Sequence, residues 1–177
     1  DHLARTGRTG TVEDGLFPST YRVKWDIVGD PKVSILIPNK DHTEDLEKCL
    51  HSIWTKTEWE HFEVIVVENN STDPATFAYY KKAQQRYDGL RVVTYPKKGF
   101  NFSGINNFGR KYATGAYLLL LNNDVEVRSG EWLTELLRQC AHPRRGGSVR
   151  CHALLPGRDH PARGRHYRAG GLRGAQP

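Results

Sequence analysis

The sequence contains no methionine, only three cysteines and no apolar run long enough to cross a membrane. A membrane-spanning helix needs roughly 20 apolar residues, whereas the strongest apolar run here, 117–121, has the length of a strand. The cysteines lack metal-type spacing and are odd in number, which favours a reducing, cytoplasmic setting over a disulfide framework. Because even the first residue is not methionine, we expect the chain to be a piece of a longer product.

Acidic residues are nearly absent from the C-terminal segment. Residues 144–177 hold eight arginines and a single acid, Asp159, which gives the segment a charge of +7. The whole chain has a net charge of +6, so the difference leaves residues 1–143 with a net charge of −1. A nucleic-acid-binding module that uses the basic segment is therefore one alternative, although the rest of the chain has no basic excess to support it.

The same segment, 144–177, has no hydrophobic periodicity and is rich in Arg, Gly, Pro and His. This composition predicts a disordered basic tail. A second hypothesis is a frame shift: from Arg150 onward, reading one nucleotide out of frame permits a sequence with a strand, a turn and an apolar segment. Sequencing of the coding DNA distinguishes the two.

From residue 32 to residue 143, strand patterns and helix patterns alternate. Short connections join them, so the pattern predicts one α/β domain with an open, doubly wound, mostly parallel sheet and helices on both faces. The predicted buried strands are 32–38, 62–68, 90–95 and 116–121, and the predicted helices are 42–54, 71–87, 103–114 and 130–141. Residues 1–31 are predicted to be a linker or the end of a preceding domain, with one extended piece at 20–25.

Two helix starts carry capping signals. Thr43 is the expected N-cap of the first predicted helix, and Asp73 is the expected N-cap of the second. Pro74 follows Asp73 directly and suits the first helical position, because proline needs no hydrogen bond for its missing N–H.

Polar clusters follow the predicted strands. In doubly wound sheets, ligands bind beyond the carboxyl ends of the strands, and these ends carry the sequences "PNKD", "ENNSTD" and "NND". Asn122 and Asp124 would lie on one side of an extended chain and offer oxygen ligands to a hard divalent cation that bridges two phosphates. An Asx turn that ends the strand explains the same residues equally well.

The other clusters have similar pairs of interpretations. Glu68 is placed to accept hydrogen bonds from a ribose or a base edge, whereas the residues after it form a helix cap. The loop 39–41 suits a nucleotide contact or a solvated turn. The amides and the hydroxyl at 101–107 suit phosphate or base binding at a helix N-terminus, or simple capping. A dinucleotide-binding domain is disfavoured because no G-x-G-x-x-G follows the first strand.

Taken together and in this order, "VSILIPNKD", "VIVVENNSTD" and "FNFSGINNFGRKYATGAYLLLLNNDVEV" resemble glycosyltransferase family 2, which has the GT-A fold. The resemblance covers roughly residues 31–141, and the shifted reading of the tail is similar to the segment that follows in this family. The resemblance implies transfer of a sugar from a nucleotide-diphosphate donor to a saccharide acceptor, with inversion and with a divalent metal, manganese or magnesium. It implies no nucleic-acid partner.

The resemblance also implies roles for individual residues. Pro38 and Asp41 would line the nucleotide pocket, Glu68 would read the uracil or ribose, and Asn106 would lie near the donor phosphates. Asp124, at the last position of the D-x-D motif, would be the principal metal ligand. The full set of expected nucleotide-sugar-binding residues is Pro38, Asn39, Asp41, Glu68, Asn70, Asn101, Ser103, Asn106, Asn122 and Asn123.

The family carries its catalytic base well downstream of the D-x-D position, so we expect the base to lie beyond the end of this chain. The acceptor-side half would then be absent or scrambled, leaving an exposed sheet edge and a chain that catalyses nothing alone. The parent enzyme is expected to serve cell-surface polysaccharide synthesis in the cytoplasm, at the inner face of the membrane.

Overall fold

The computed structural model describes residues 2–140. The predictions for residues 144–177, namely the disordered tail, the frame shift and the basic nucleic-acid-binding segment, therefore lie outside the described residues. The elements in chain order are α1 (His2–Arg5), β1 (Gly10–Asp14), β2 (Tyr21–Trp25), β3 (Val33–Asn39), α2 (Thr43–Lys56), β4 (Phe62–Glu68), α3 (Pro74–Arg86), β5 (Leu90–Thr94), α4 (Phe102–Arg110), β6 (Tyr117–Leu120) and α5 (Trp132–Cys140).

The main sheet confirms the predicted fold class. Its strands run in the order β5-β4-β3-β6, and each neighbouring pair is parallel. One face, which includes Ile35 and Ile37 of β3, packs against apolar residues of α2, α3 and α5. The other face, which includes Leu36, packs against α4 through Ile105. The β-branched runs of β3 and β4 are thus buried on both sides, as is typical of parallel sheets with helical crossovers.

The edge strand β6 corrects one expectation. The leucine run was predicted to be a core strand, but Leu118 is 40% exposed and Leu120 is 37% exposed. Both face the same side as their β3 partners, Ser34 and Leu36, whereas α4 packs over β3 and β4. β6 is therefore half-buried on one face and exposed on the other, and it leaves an open sheet edge among the described residues.

The N-terminal part also differs from its prediction. β1 and β2 pair as an antiparallel hairpin, of which only the second strand was expected. β1 is mostly exposed and lacks apolar alternation, so its sequence carries little strand signal. The hairpin contacts α5, where Arg22 forms an ion pair with Glu135 and the Arg138 guanidinium donates to the Trp25 carbonyl at 3.5 Å. The assignment of residues 1–31 to a linker or a preceding domain stays a prediction.

One of the two predicted caps is confirmed. The Asp73 carboxylate accepts from the Ala75 amide at 2.9 Å, with Pro74 at the start of α3. The prediction for Thr43 is wrong, because the N-cap of α2 is His42, which has a left-handed backbone and makes no side-chain cap. The Thr43 hydroxyl instead forms a 2.9 Å hydrogen bond with the Thr76 hydroxyl of α3.

A buried carboxylate joins the strands at the amino end of the sheet. Glu63 accepts hydrogen bonds from the Ser34 hydroxyl at 2.6 Å and from the Thr114 amide at 2.7 Å. Its other oxygen lies 3.0 Å from the Lys32 ammonium and 2.8 Å from the Arg91 guanidinium. Burial alone would raise the pKa of Glu63, but these hydrogen bonds outweigh burial and lower the pKa to about 2.

We predict that Glu63→Gln lowers the free energy of unfolding near pH 7 by on the order of 3 kcal/mol, because a carboxyl with a lowered pKa stabilises the fold when it is ionised. That contribution is present above the ordinary pKa of 4.5 and is lost as the pH falls towards about 2. Urea unfolding between pH 7 and pH 2.5 should therefore show the two proteins converging in acid. Glu60→Gln, an exposed control, should change little; parallel stability curves for wild type and Glu63→Gln would contradict the prediction.

Candidate functional site

The polar clusters after β3, β4 and β6 meet at the carboxyl edge of the sheet. The strand-end loops, as we call them, are residues 39–42, 68–73 and 121–124. The first two begin with the last residues of the parallel strands β3 and β4, Asn39 and Glu68, which lie opposite each other in register. Backbone hydrogen bonds continue the pairing past the strands, from the Asn69 amide to the Asn39 carbonyl at 2.8 Å and from the Leu121 amide to the Leu36 carbonyl at 2.9 Å.

Asn39 connects two of the strand-end loops through its buried side chain. Its amide nitrogen donates to the Asp41 carbonyl and to the Tyr80 hydroxyl, both at 2.8 Å. Its amide oxygen accepts from the Asn123 side chain at 2.7 Å. Both ends of the amide are therefore used inside the protein, so Asn39 orients the site rather than offering a free group to a ligand.

Asp41 links the first strand-end loop to the second. Its carboxylate accepts from the backbone amides of Thr72 at 2.8 Å and Asp73 at 3.0 Å, and these amides lower the pKa of Asp41. Its own backbone amide donates to the Ser71 hydroxyl at 2.9 Å. Asp41 has a φ of 53°, a left-handed conformation that is unfavourable for a residue with a side chain. The carboxylate thus holds a strained turn against the neighbouring loop.

Glu68 keeps part of its hydrogen-bonding capacity. One carboxylate oxygen accepts from the Ser71 amide at 2.5 Å, while the other has no hydrogen-bond donor among residues 2–140. Asn70, with a φ of 57°, donates to the Lys97 carbonyl at 2.9 Å and brings the loop before α4 to the same edge. Glu68 therefore has a carboxylate oxygen left for a ligand.

The polar side chains at the start of α4 are of two kinds: one caps the helix, and the others have atoms without a hydrogen-bond partner among the described residues. Asn101 is the N-cap and accepts from the Gly104 amide at 2.8 Å, so capping is confirmed for this residue. Ser103 is exposed and its hydroxyl makes no hydrogen bond within the described chain. Asn106 is only 5% exposed; its nitrogen donates to the Phe102 carbonyl at 2.8 Å, but its oxygen has no partner among the described residues. A buried acceptor of this kind needs a donor that residues 2–140 do not supply.

The third strand-end loop contains Asn122, Asn123 and Asp124. Asn123 is engaged by Asn39, whereas the side chains of Asn122 and Asp124 have no hydrogen-bond or ion-pair partner within residues 2–140. An Asx turn would need one of these side chains to accept a hydrogen bond from a backbone amide, and no such bond is present among the described residues. The strand ends at Leu120 and residues 123–124 form a turn, so the extended-chain argument for placing Asn122 and Asp124 on one side does not hold.

The surroundings of this loop favour metal coordination by oxygen atoms over coordination by sulfur. Cys49 of α2 lies under the loop, with its sulfur 3.8 Å from the Asn122 carbonyl oxygen. Burial, assisted by the charge of Asp124, raises the pKa of Cys49 to about 12, so the thiol stays protonated and is a poor metal ligand. Among the described residues, no group of three or more His, Cys, Asp or Glu residues could hold a metal ion unaided.

Tyr80 and Ser71 were not predicted as site residues. Tyr80 lies on the buried face of α3 beside Tyr79 and Ala83, where its sequence spacing indicates only a core position. Its contact with Asn39 joins residues that are 41 positions apart, and no local pattern carries that information. Pro38, at the end of β3, is half-buried and contributes to the edge beside Asn39.

The family assignment follows from sequence comparison. The chain matches the family model described as Glycosyl transferase family 2 over residues 34–168. This chain belongs to glycosyl transferase family 2. The match begins one residue after the start of β3 and extends into the segment predicted to be a tail; the frame-shift hypothesis stays a prediction.

One curated relative of this chain is the O-antigen biosynthesis protein RfbC of Myxococcus xanthus. It is 42% identical over 156 residues, which is 88% of this chain and 12% of RfbC. The chain therefore spans a small part of this relative's length.

Solved structures support the fold. The mannosyltransferase PcManGT from Pyrobaculum calidifontis, in complex with GDP-Man and Mn2+, matches with a TM-score of 0.60 and 20% identity, over 67% of this chain and 34% of that chain. TarS 1-349 of S. aureus, in complex with UDP-GlcNAc, matches with a TM-score of 0.52 and 24% identity, over 62% of this chain and 32% of that chain. The Rossmann-like GT-A fold is confirmed.

We predict that Asn39→Ala lowers the free energy of unfolding by about 2 kcal/mol, because it leaves the buried Tyr80 hydroxyl and the half-buried Asn123 amide without the hydrogen bonds that Asn39 forms with them. Urea unfolding measures the change. Asn107→Ala is a matched control, since Asn107 is exposed on α4 and has no side-chain hydrogen bond within the described chain. Equal stability of the two variants would show that the Asn39 contacts do not hold the loops together.

Proposed function

We propose that this chain forms the donor-binding part of an inverting sugar-transfer enzyme, which uses a nucleotide-diphosphate sugar and a saccharide acceptor in cell-surface polysaccharide synthesis. The observation that carries the proposal is the meeting of three polar strand-end loops at one edge of a parallel sheet, in a chain of glycosyl transferase family 2. The edge is where ligands bind in open α/β sheets. The O-antigen function in the name of RfbC favours a polysaccharide product.

Within this site, the residues divide into those that bind the donor and those that orient the loops. Glu68 has a carboxylate oxygen available for a ribose hydroxyl or a base N–H, and Asn106 has a buried oxygen in need of a donor. Asn39 and Asp41 act mainly by fixing the loops, because their side-chain groups are already paired. The remaining expected donor-binding residues are Pro38, Asn70, Asn101, Ser103, Asn122 and Asn123.

A divalent cation, manganese or magnesium, fits this proposal. Asp124 is exposed and unpaired within residues 2–140, and Asn122 nearby has a free amide oxygen, so both are available as hard oxygen ligands. A single carboxylate binds a divalent cation weakly. Cation binding here should therefore depend on further oxygen ligands from the diphosphate of the nucleotide sugar. When bound, such a cation offsets the charge that grows on the leaving nucleotide diphosphate.

No residue of this chain is assigned as catalytic base. We therefore propose a donor-binding role for residues 2–140 and assign them no part in the transfer step. No helix among residues 2–140 is long and apolar enough to cross a membrane. Cys49 and Cys140 are free thiols, which suits the proposed cytoplasmic location of the parent enzyme.

Calorimetric titration of the folded chain with UDP and with GDP, each with and without Mn2+, tests the proposal. We predict that Mn2+ strengthens binding of one nucleotide by about tenfold or more, equivalent to 1.4 kcal/mol, and that Asp124→Ala abolishes this gain. Glu126→Ala is the matched control, because Glu126 is also an exposed carboxylate but is paired with Lys56 at 3.0 Å. Binding of neither nucleotide to the folded wild type would contradict the proposed function.

A further inference from the structure

We propose that Tyr80 is a positioning residue of the donor site, whose hydroxyl holds the strand-end loops in the arrangement that the nucleotide requires. The inference rests on the proposed function for its ligand, while its structural basis is the contact of this hydroxyl with Asn39. Tyr80 belongs to α3, outside the strand-end loops, and touches no reacting group in the proposed mechanism.

The Tyr80 hydroxyl contacts Asn39, the residue whose side chain joins the first and third loops. It accepts from the Asn39 amide nitrogen at 2.8 Å, and Asn39 in turn holds Asn123 of the third loop. Burial raises the pKa of Tyr80, and its interactions with Asn39 and with the Ser71 hydroxyl oppose that effect only partly. The hydroxyl is therefore neutral near pH 7 and accepts from the Asn39 amide.

The loops need such a support because their backbones are strained. Asp41, His42 and Asn70 have φ values of 53°, 46° and 57°, which place three residues with side chains in the left-handed region. Glycine adopts this conformation more readily than these residues do, so surrounding contacts help to impose it. Tyr80 is 5% exposed and fixed on a helix that packs against the core, so it supplies a rigid reference for these turns.

Removing only the hydroxyl would leave a specific defect. The Asn39 amide nitrogen carries two hydrogens, one directed to the Asp41 carbonyl and one to Tyr80. In Tyr80→Phe the second hydrogen would be buried without an acceptor, which destabilises the present orientation of the Asn39 side chain. Because that amide also holds Asn123, the disturbance would reach the loop that carries Asp124.

The experiment compares Tyr80→Phe with Tyr79→Phe in the full 177-residue chain. Tyr79 is the matched control: it is adjacent on α3 and 8% exposed, and its buried hydroxyl has no hydrogen-bond partner among the described residues. The first measurement is amide hydrogen exchange by NMR without nucleotide. We expect exchange at the amides of Asp41, Ser71 and Thr72 to be about tenfold faster in Tyr80→Phe, the effect of losing roughly one hydrogen bond, and unchanged in Tyr79→Phe.

The second measurement is binding of UDP and GDP with Mn2+ to the same proteins. We expect Tyr80→Phe to weaken binding by about fivefold to tenfold, and Tyr79→Phe to bind like the wild type. Equal exchange at these amides in the two variants would overturn the inference, as would equal nucleotide affinity. If the wild type itself binds neither nucleotide, the proposed function fails, and the exchange rates alone decide whether Tyr80 positions the loops.

Discussion

The arrangement of the site depends on the hydrogen bonds that the Asn39 side chain forms. Asn39 stands at the end of β3, the central strand between β4 and β6, and its amide reaches the third strand-end loop on one side and the first on the other. A parallel sheet brings strand ends to one edge, but it does not fix the loops that follow them. A buried amide with both ends paired does so, because any other orientation would leave polar atoms without partners.

This constraint separates the polar residues into supporting groups and available groups. The side chains of Asn39 and Asp41, and the amide nitrogen of Asn123, form hydrogen bonds within or between the loops. Glu68 and Asp124, in contrast, keep carboxylate oxygens that no described residue uses. The available acids belong to the two strand ends that flank β3, because Glu68 is the last residue of β4 and Asp124 lies in the loop after β6. A nucleotide diphosphate placed between them would meet an acceptor for its nucleoside at one end and a site for a cation at the other.

Much of the fold could be predicted from the sequence, because its signals are local. The run from Phe62 to Glu68 was predicted with the bounds that β4 has, and Asp73 caps α3 as expected. Exposure of Leu120 could not be predicted, since it depends on where α4 packs. The polar residue types of the site could also be named in advance, but which of them are paired could not. The contact of Tyr80 with Asn39 joins distant segments and is visible only in the folded chain.

The most direct test of the account is paramagnetic broadening of backbone amide signals by Mn2+ in the presence of UDP or GDP, whichever binds. If the cation and the diphosphate share the strand-end loops, broadening should be strongest at residues 122–124 and weaker at 39–41 and 68–72. The hairpin of β1 and β2 should be unaffected, because it packs against α5 and contributes no residue to the strand-end loops. Strongest broadening at the hairpin, or at any surface remote from Asp124, would contradict the central claim that these loops form one donor site.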